Sequence, residues 1–436
     1  MTESIEGFGR TEREGDQFTI FDLTPEAHWG DKLGPEDHEW LASIAELKSE
    51  DFLLNAGTDA DHSFEREPVL VRDIDGWRAS RYVGEIRHQG RTLVIRPRLG
   101  VDTIASWISA ILNVQVLPHT ASRSTEVSSM VTQLLAALWR AEVLSASQHA
   151  LLRTPSKVNT NGVSIRGRLD AQGTVRRRAS GHRDLVSSQV VRTHDNAPAR
   201  AVVLADRYLD ERIAGGRWRG PRLDEQLTVL RRETGTKPRK PTLNEIRKTK
   251  YSPITAKWRR AAELSWRIIE NDPLGVSAIE ESTHGVLIDV AELWERFVLH
   301  CIGVVSSRPV RHGAVGHELG SLGESSVRPD TRLGRLYPDV VVGTDPVLTL
   351  VDAKYKRLSR GISREDLYQL HAYASTFLPK TAALAYPLIP WEASEVACEE
   401  RYSPWRTRGG QDLSFWTLPV NEKECVEKLK LLIPEA

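Results

Sequence analysis

The spacing of apolar residues changes along the chain between the helical and the strand period, which predicts a protein that mixes both elements. In Pro35–Lys48 an opening proline is followed by apolar residues at helical spacing, namely Trp40, Leu41, Ile44 and Leu47. Similar patterns predict helices over 101–114, 125–144, 197–213, 286–303, 363–378 and 424–433. We therefore expect an α+β or α/β fold.

Strand patterns occur in both halves of the chain. Pro68–Gly100 holds short runs rich in Val, Ile, Tyr and Arg, separated by Asp75-Gly76 and by His88-Gln89-Gly90, which predicts an antiparallel meander. Ser164–Gly181 predicts a hairpin with arginine-rich ends. Near the carboxy terminus, two apolar runs flanked by acids precede the helix at 363–378, and Thr381–Pro390 predicts a further strand.

Charge and length suggest how these elements are grouped. The chain has 436 residues, enough for two or three domains. Residues 1–67 carry eighteen Asp/Glu against five Lys/Arg and are expected to form an acidic, loosely ordered extension. We expect a β-meander with helices at 68–145, a basic mixed α/β region at 146–279 and a carboxy-terminal domain at 280–436. The basic region is compatible with nucleic-acid binding, although such a cluster is more often a solvated face.

Several classes of protein are disfavoured by composition. The three cysteines are scattered, which argues against a disulfide framework and a zinc site. No apolar run approaches the roughly 20 residues of a membrane span, and the first residues are polar and acidic. No G-x-x-x-x-G-K-[ST] motif is present, so nucleotide binding by a P-loop is not expected. We expect a soluble cytoplasmic protein with no membrane partner.

The candidate chemistry lies at the ends of the two carboxy-terminal apolar runs. Asp339 opens one run, and Asp352 and Lys354 close the next. Because Asp352 and Lys354 are two residues apart, a strand directs both side chains to one face. Carboxylates suit Mg²⁺, which is usually held by one or two of them together with substrate phosphates, and a lysine can neutralise developing charge. Ordinary surface strands with charged ends would also explain these three residues.

The next helix adds Gln369 and Tyr373, which share a face at i and i+4. Taken alone, the pair is more typical of a surface glutamine beside a half-buried tyrosine than of a site. Its position directly after the acid and lysine strand favours a shared function.

These residues resemble a known nuclease motif. The segments at 337–339, 352–354 and 369–373 are similar to the PD-(D/E)XK motif with the Q-x-x-x-Y element of its RecB-like branch. More narrowly, the chain resembles the McrC-like family, the nuclease subunits of modification-dependent restriction systems of McrBC type. The likeness covers about residues 68–390, and its further stretches are ELWERFV, YVGEI, LVIRPRLG, RGRLD and DNAPAR.

The resemblance implies a fold and a reaction. It implies a carboxy-terminal PD-(D/E)XK domain, with a mixed sheet flanked by helices, preceded by a β-rich partner-docking region. Asp339 and Asp352 would bind Mg²⁺, with Mn²⁺ as an alternative, Lys354 would be catalytic, and Gln369 and Tyr373 would position the lysine or the DNA backbone. Glu295 matches a glutamate that completes the metal shell in many such nucleases, and a solvent-facing helix acid is an equally good interpretation.

The implied partners are double-stranded DNA and a McrB-like AAA+ GTPase hexamer, whose hydrolysis such subunits stimulate. The leading hypothesis is therefore a Mg²⁺-dependent DNA endonuclease subunit of a restriction complex that defends against foreign DNA. Two alternatives stay open. One is a stand-alone restriction endonuclease or RecB-like repair exonuclease, and the other is a non-catalytic adaptor that binds DNA or activates a GTPase.

Overall fold

The computed structural model describes residues 13–14, 16–26, 29, 33–49, 67–74, 76–112, 126–213, 218–270, 283–313, 320–328, 331–344, 347–356, 361–388 and 405–433. The fold is mixed α+β. Contacts divide it into two compact units, the first formed by 1–134 with 273–436 and the second by 135–272. Among the described helices none is both long and apolar enough to cross a membrane.

The strands, in chain order, are β1 Arg13–Glu14, β2 Gln17–Phe21, β3 Leu70–Asp73, β4 Gly76–Ala79, β5 Tyr82–His88, β6 Arg91–Arg96, β7 Thr154–Gly162, β8 Arg168–Leu169, β9 Leu185–Thr193, β10 His284–Asp289, β11 Val310–His312, β12 Ser321–Glu324, β13 Arg332–Arg335, β14 Val340–Val342, β15 Thr349–Ala353, β16 Thr381–Leu388, β17 Trp405–Arg406 and β18 Asp412–Pro419.

The helices are α1 Pro35–Ala45, α2 Val101–Leu112, α3 Glu126–Ala146, α4 Ala171–Ala179, α5 Ala197–Asp210, α6 Pro221–Thr234, α7 Leu243–Lys248, α8 Lys257–Glu270, α9 Val290–Val305, α10 Arg364–Phe377 and α11 Glu422–Leu432, with a short 3₁₀ turn at Pro253–Thr255.

A five-stranded sheet in the first unit has the order β1-β2-β6-β5-β10. The β5–β6 hairpin turns through Gln89 and Gly90, which both have positive φ, as a tight two-residue hairpin turn requires. Helix α1 packs its apolar face on this sheet through Trp40, Leu41 and Ile44. β10 pairs with β5 and runs directly into α9, so the amino-terminal sheet continues into the carboxy-terminal half.

A six-stranded sheet in the same unit has the order β11-β14-β15-β16-β18-β17. β14 and β15 are antiparallel, whereas β15, β16 and β18 are parallel. Helix α10 covers one face, where Leu370 and Ala374 pack on Ala382 and Leu384. Alternate residues point to the opposite face, where α9 and α11 pack. Burial on both faces explains why β15 is buried along its whole length.

The second unit combines helices with a three-stranded sheet of order β7-β9-β8. Helices α5, α7 and α8 meet around a small core of Ala201, Ile246 and Ala262. Buried Asp206 accepts hydrogen bonds from Arg219 and Arg231, each at 2.5 Å, which fixes α5 to α6 and the segment before it.

The structure differs from the sequence-based expectations at four elements. Residues 17–21, expected to be loosely ordered, form β2 and pair with β6; much of 1–67 lies outside the described residues. The expected meander is two separate hairpins, because β3 and β4 form their own sheet. Residues 171–179 form a helix capped by Asp170 instead of a hairpin arm. Residues 286–289, expected to open a helix, belong to strand β10 because they pair with β5.

The compact units also differ from the expected boundaries. The pairing of β10 with β5 places residues on both sides of position 280 in one sheet. The expected segments 68–145 and 280–436 therefore contribute largely to one unit, while most of 146–279 forms the other.

Candidate active site

Two acids meet where β14 begins and β15 ends. The register pairs Val340 with Val351, and one step further it places Asp339 opposite Asp352. The Asp339 carboxylate is fixed there because its Oδ2 accepts a hydrogen bond from the Ala353 backbone N–H at 2.6 Å. Asp352 is only 2% exposed. The hairpin therefore brings together two carboxylates that are thirteen positions apart in the sequence.

Lys354 extends the same strand by one residue beyond Ala353. Its backbone N–H donates to the Ala385 carbonyl of β16 at 2.8 Å, so the pairing with β16 continues to this residue. Its side chain turns to the face of Asp352, and Nζ lies 2.5 Å from Asp352 Oδ2. The spacing of two in the sequence thus gives the ion pair that strand geometry predicts.

Helix α10 closes a ring of polar contacts over this strand. Gln369 Oε1 accepts from Lys354 Nζ at 2.7 Å, and Gln369 Nε2 donates to the Tyr373 hydroxyl at 2.9 Å. The hydroxyl lies 3.3 Å from Asp352 Oδ1 and 3.1 Å from the Tyr337 carbonyl oxygen, and it can donate to one of them at a time. The contacts close a ring of four side chains in which each one contacts two others: Asp352, Lys354, Gln369 and Tyr373.

Glu295 joins the site from α9. Asp289 caps that helix with hydrogen bonds to the N–H groups of Ala291 and Glu292, which sets the helix start and so the position of Glu295. Glu295 interacts electrostatically with both Asp339 and Asp352. Six site residues were predicted from the sequence, and four of them form the ring of polar contacts. Asp339 is held beside the ring by the hydrogen bond from the Ala353 backbone, and Glu295 lies close enough to interact electrostatically with the two aspartates.

Burial raises the pKa values of all three carboxyl groups of the site. Burial raises the pKa of Asp339 well above its usual range, and the negative charges of Glu295 and Asp352 raise it further. Burial, followed by Asp289 and Asp352, raises the pKa of Glu295 to about 8. Burial also raises the pKa of Asp352, although Lys354 opposes that shift. Burial is thus the first cause in all three acids, and the neighbouring acids of the site add to it for Asp339 and Glu295. Carboxyl groups with raised pKa values gathered at one place are typical of a functional site.

The donor chemistry of this site fits a hard divalent cation. Asp352 Oδ2 is buried and lies 2.5 Å from the Lys354 ammonium, and among the described residues it has no hydrogen-bond partner of normal geometry. Within the described residues no group of three or more His, Cys, Asp or Glu side chains is already arranged around a metal position. Mg²⁺ does not require one, because one or two carboxylates with waters and substrate phosphates usually hold it. Asp339 and Asp352 would supply those carboxylates.

The sequence did not reveal two charged pairs beside the site. Arg81 forms an ion pair with the α9 cap Asp289 at 3.0 Å and interacts electrostatically with Glu295. Lys356 pairs with buried Asp366 of α10 at 2.7 Å, and Asp366 also accepts from Tyr386 at 3.3 Å. The Asp352, Lys354, Lys356 alternation was a usable signal for the second pair, whereas nothing local pointed to Arg81.

The fold and site define an α+β protein whose mixed sheet carries a buried cluster of two acids and a lysine. A helix that contributes a glutamine and a tyrosine covers this cluster. The family described as McrBC 5-methylcytosine restriction system component matches residues 77–387, which is well over half of the chain. The chain belongs to this family, and is a component of an McrBC-type restriction system. A comparison with curated proteins finds no match.

Two solved structures from Thermococcus gammatolerans are similar. One is described as a refined half-complex from a tetradecameric assembly of McrB AAA+ hexamers with bound McrC, and its matching chain aligns with a TM-score of 0.54 and 14% identity, covering 96% of this chain and 100% of that one. The other, an McrBC complex studied by cryo-EM, aligns with a TM-score of 0.35 and 14% identity, covering 66% and 87%. The first likeness shows a shared fold.

Proposed function

We propose that this chain is the Mg²⁺-dependent DNA endonuclease subunit of its restriction system, with a PD-(D/E)XK type of site. The observation that supports the proposal is the convergence of Asp339, Asp352 and Lys354 at the joined ends of β14 and β15. A bound cation would polarise the scissile phosphate and lower the pKa of a water. Asp339 and Asp352 would hold it, with Glu295 as the third acid within range.

The chain's own residues have separate roles in this reaction. Lys354 presents an ammonium where negative charge develops on the phosphate, and the charges of Asp352 and Asp339 raise its pKa despite the opposing effect of burial, so it stays cationic. Gln369 and Tyr373 restrict the Lys354 ammonium and the Asp352 carboxylate to one geometry. Such preorganisation lowers the cost of aligning the groups during the reaction.

The partners follow from the family and the similar complex. We propose that double-stranded DNA is the substrate and that a McrB-like AAA+ GTPase hexamer binds this chain, as the description of the Thermococcus assembly reports for McrC. Cytoplasmic location remains a prediction from the sequence.

The direct test is DNA cleavage by Lys354→Ala in the presence of Mg²⁺, GTP and the AAA+ partner. Loss of a cation that stabilises the transition state should lower the cleavage rate about 10²-fold or more. Lys380→Ala, which removes an exposed lysine just beyond α10, is the matched control and should cleave normally. If Lys354→Ala cleaves as fast as the control, the site assignment is wrong.

The adaptor alternative differs from the nuclease in that its nuclease-like domain would not bind metal. Mg²⁺-dependent thermal stabilisation separates the two functions. The nuclease should gain stability with Mg²⁺ and lose that gain in Asp352→Asn, whereas an adaptor should show no gain in either protein.

A further inference from the structure

A buried ion pair lies at the carboxy-terminal ends of two neighbouring strands, β2 and β6, of the five-stranded sheet. Because β2 and β6 are parallel, Asp22 and Arg98, which follow them, lie at the same end of the two strands. The Arg98 backbone N–H donates to Asp22 Oδ1 at 2.5 Å, and Arg98 Nε lies 3.9 Å from Asp22 Oδ2. Asp22 is fully buried and Arg98 is 8% exposed. A pair so desolvated fixes the geometry of its surroundings, because either charge alone is costly.

The Arg98 side chain reaches from this sheet to the residue that follows Lys354. Its guanidinium carbon lies 4.6 Å from the centroid of the Tyr355 ring, and its NH2 group lies 3.5 Å from the Tyr355 carbonyl oxygen. On another side the Tyr355 ring meets the edge of Trp107 of α2, at 6.3 Å between centroids. Tyr355 is therefore held by the amino-terminal part of the unit, although it belongs to the carboxy-terminal strand.

We propose that Arg98, fixed by Asp22, is a positioning residue for the Lys354 site, so that the amino-terminal sheet sets the geometry of the reaction. This inference rests on the proposed nuclease function. The Lys354 backbone N–H is hydrogen-bonded to the Ala385 carbonyl oxygen, and the next residue, Tyr355, is held in place by the Arg98 guanidinium. Release of Tyr355 frees the backbone dihedrals that aim the Lys354 side chain. A misplacement of about 1 Å can lower a rate about 10²-fold.

The same sheet contains a comparable cluster that is remote from the site. Arg91, at the opposite end of β6, donates to buried Asp37 at 2.5 Å, and its guanidinium lies 4.3 Å from the Trp40 ring centroid. Arg91 and Arg96 are five residue steps apart along an extended strand, roughly 17 Å. Arg91 thus provides a control with the same chemistry, an arginine between a buried aspartate and an aromatic ring.

The experiment compares two double variants that each remove both charges, Asp22→Asn with Arg98→Gln and Asp37→Asn with Arg91→Gln. Both should lose stability in urea unfolding. DNA cleavage is measured with Mg²⁺ and the AAA+ partner at a temperature well below the unfolding transition. The single-turnover rate should fall at least 10-fold only in the Asp22 and Arg98 double variant (the Arg98 pair), and the KM for DNA, measured in the steady state, should not change. Tyr355→Leu should reproduce this loss, and Tyr355→Phe, which keeps the ring but removes the hydroxyl that interacts with Asp22, should retain more of the rate than Tyr355→Leu.

A second readout needs neither metal nor activity. In the metal-free protein, amide hydrogen exchange of residues 352–356 should be at least 10-fold faster in the Arg98 pair and unchanged in the Arg91 pair. Equal cleavage rates in the two pairs, or unchanged exchange in the Arg98 pair, would overturn the positioning role while the nuclease function stands. If the wild-type protein fails to cleave DNA under the same conditions, the proposed function fails and this inference fails with it.

Discussion

Tyr373 is the only member of the polar ring that combines a buried aromatic body with a single hydroxyl. Its ring packs with Leu350 and Val341 in the core between α10 and the sheet. Its hydroxyl contacts both Gln369 and Asp352, so it orients an acid and the amide that holds Lys354. Burial and the nearby charge of Asp352 raise the pKa of the phenol, which therefore stays protonated and able to donate.

We predict that Tyr373→Phe weakens metal-dependent cleavage without unfolding the protein. Loss of an orienting partner of a metal ligand typically costs 10–100-fold in metal affinity or activity. The Mg²⁺ concentration for half-maximal cleavage is the measurement. Tyr251→Phe is the control, because it removes a comparable hydroxyl, which donates to the Ile246 carbonyl oxygen at 2.9 Å in the second unit. Equal Mg²⁺ dependence in both variants would contradict the role of the Tyr373 hydroxyl.

The three acids make stability depend on pH. Folded Glu295 keeps its proton between its ordinary pKa of 4.5 and its folded pKa of about 8, whereas the unfolded chain has already released it. The folded state thus binds more protons in this window, so the free energy of unfolding of the metal-free protein should fall as the pH rises through it. Asp339, also raised, acts in the same direction. Chemical denaturation at several pH values is the measurement.

Two comparisons test this pH dependence. Glu295→Gln should flatten the slope because its side chain cannot release a proton. Mg²⁺ should stabilise the ionised carboxylates, so the rise in melting temperature with Mg²⁺ should be larger near pH 8 than near pH 5. A free energy of unfolding that rises across the window, or an unchanged slope in Glu295→Gln, would show that these acids are not the cause.

At the scale of elements, the pairing of β5 with β10 joins the amino-terminal sheet to α9. Gly84 of β5 has φ of +148° and approaches β10 so closely that an added Cβ would lie within 3.0 Å of the Val286 carbonyl carbon and clash with its oxygen. Only glycine satisfies both the backbone conformation and the approach.

We predict that Gly84→Ala lowers the free energy of unfolding by several kcal/mol, because it combines backbone strain with a displaced strand, and urea unfolding measures the loss. Gly303→Ala is the matched control. Gly303 lies in α9 with open space around its Cβ position, so alanine there should stabilise the protein by about 0.5–1 kcal/mol. Similar changes in both variants would mean that the close approach of β5 and β10 is unimportant for stability.

Local signals predicted some elements well and failed where a distant partner decided. Helix α10 begins after Ser363, whose side chain accepts a hydrogen bond from the Asp366 N–H, and such a cap is readable from the sequence because capping is local. The segment 284–289 carries an apolar run that a helix could also use, and only its pairing with β5 made it a strand. The arginine-rich segment became α4 because Asp170 accepts a hydrogen bond from the Gly173 N–H, which was a readable cap signal.

At the scale of the whole molecule, the two compact units should respond differently to metal. All proposed metal ligands lie in the first unit. We predict that calorimetry resolves two unfolding transitions and that Mg²⁺ raises the melting temperature of one of them only, since a ligand stabilises the state that binds it. Asp352→Asn should abolish this shift. A common shift of both transitions would mean that the units unfold as one cooperative block.

The sequence by itself determined the chemistry of the proposed site. The spacing of Asp352 and Lys354 placed both on one strand face, and the spacing of Gln369 and Tyr373 placed both on one helix face, because these relations depend only on the local backbone period. The charged residues that follow the strands, and the likeness to McrC-like proteins, were also readable without a structure.

The tertiary structure alone decided which elements surround that site. Asp22, Arg81 and Arg98 precede Lys354 by more than 250 positions, and no local spacing relates them to it. They meet the site because β2 and β6 are parallel and β10 continues the sheet into α9. Sheet pairing is a long-range interaction whose partner the local sequence does not specify, so the buried Asp22–Arg98 pair and its contact with Tyr355 emerge only from the folded chain.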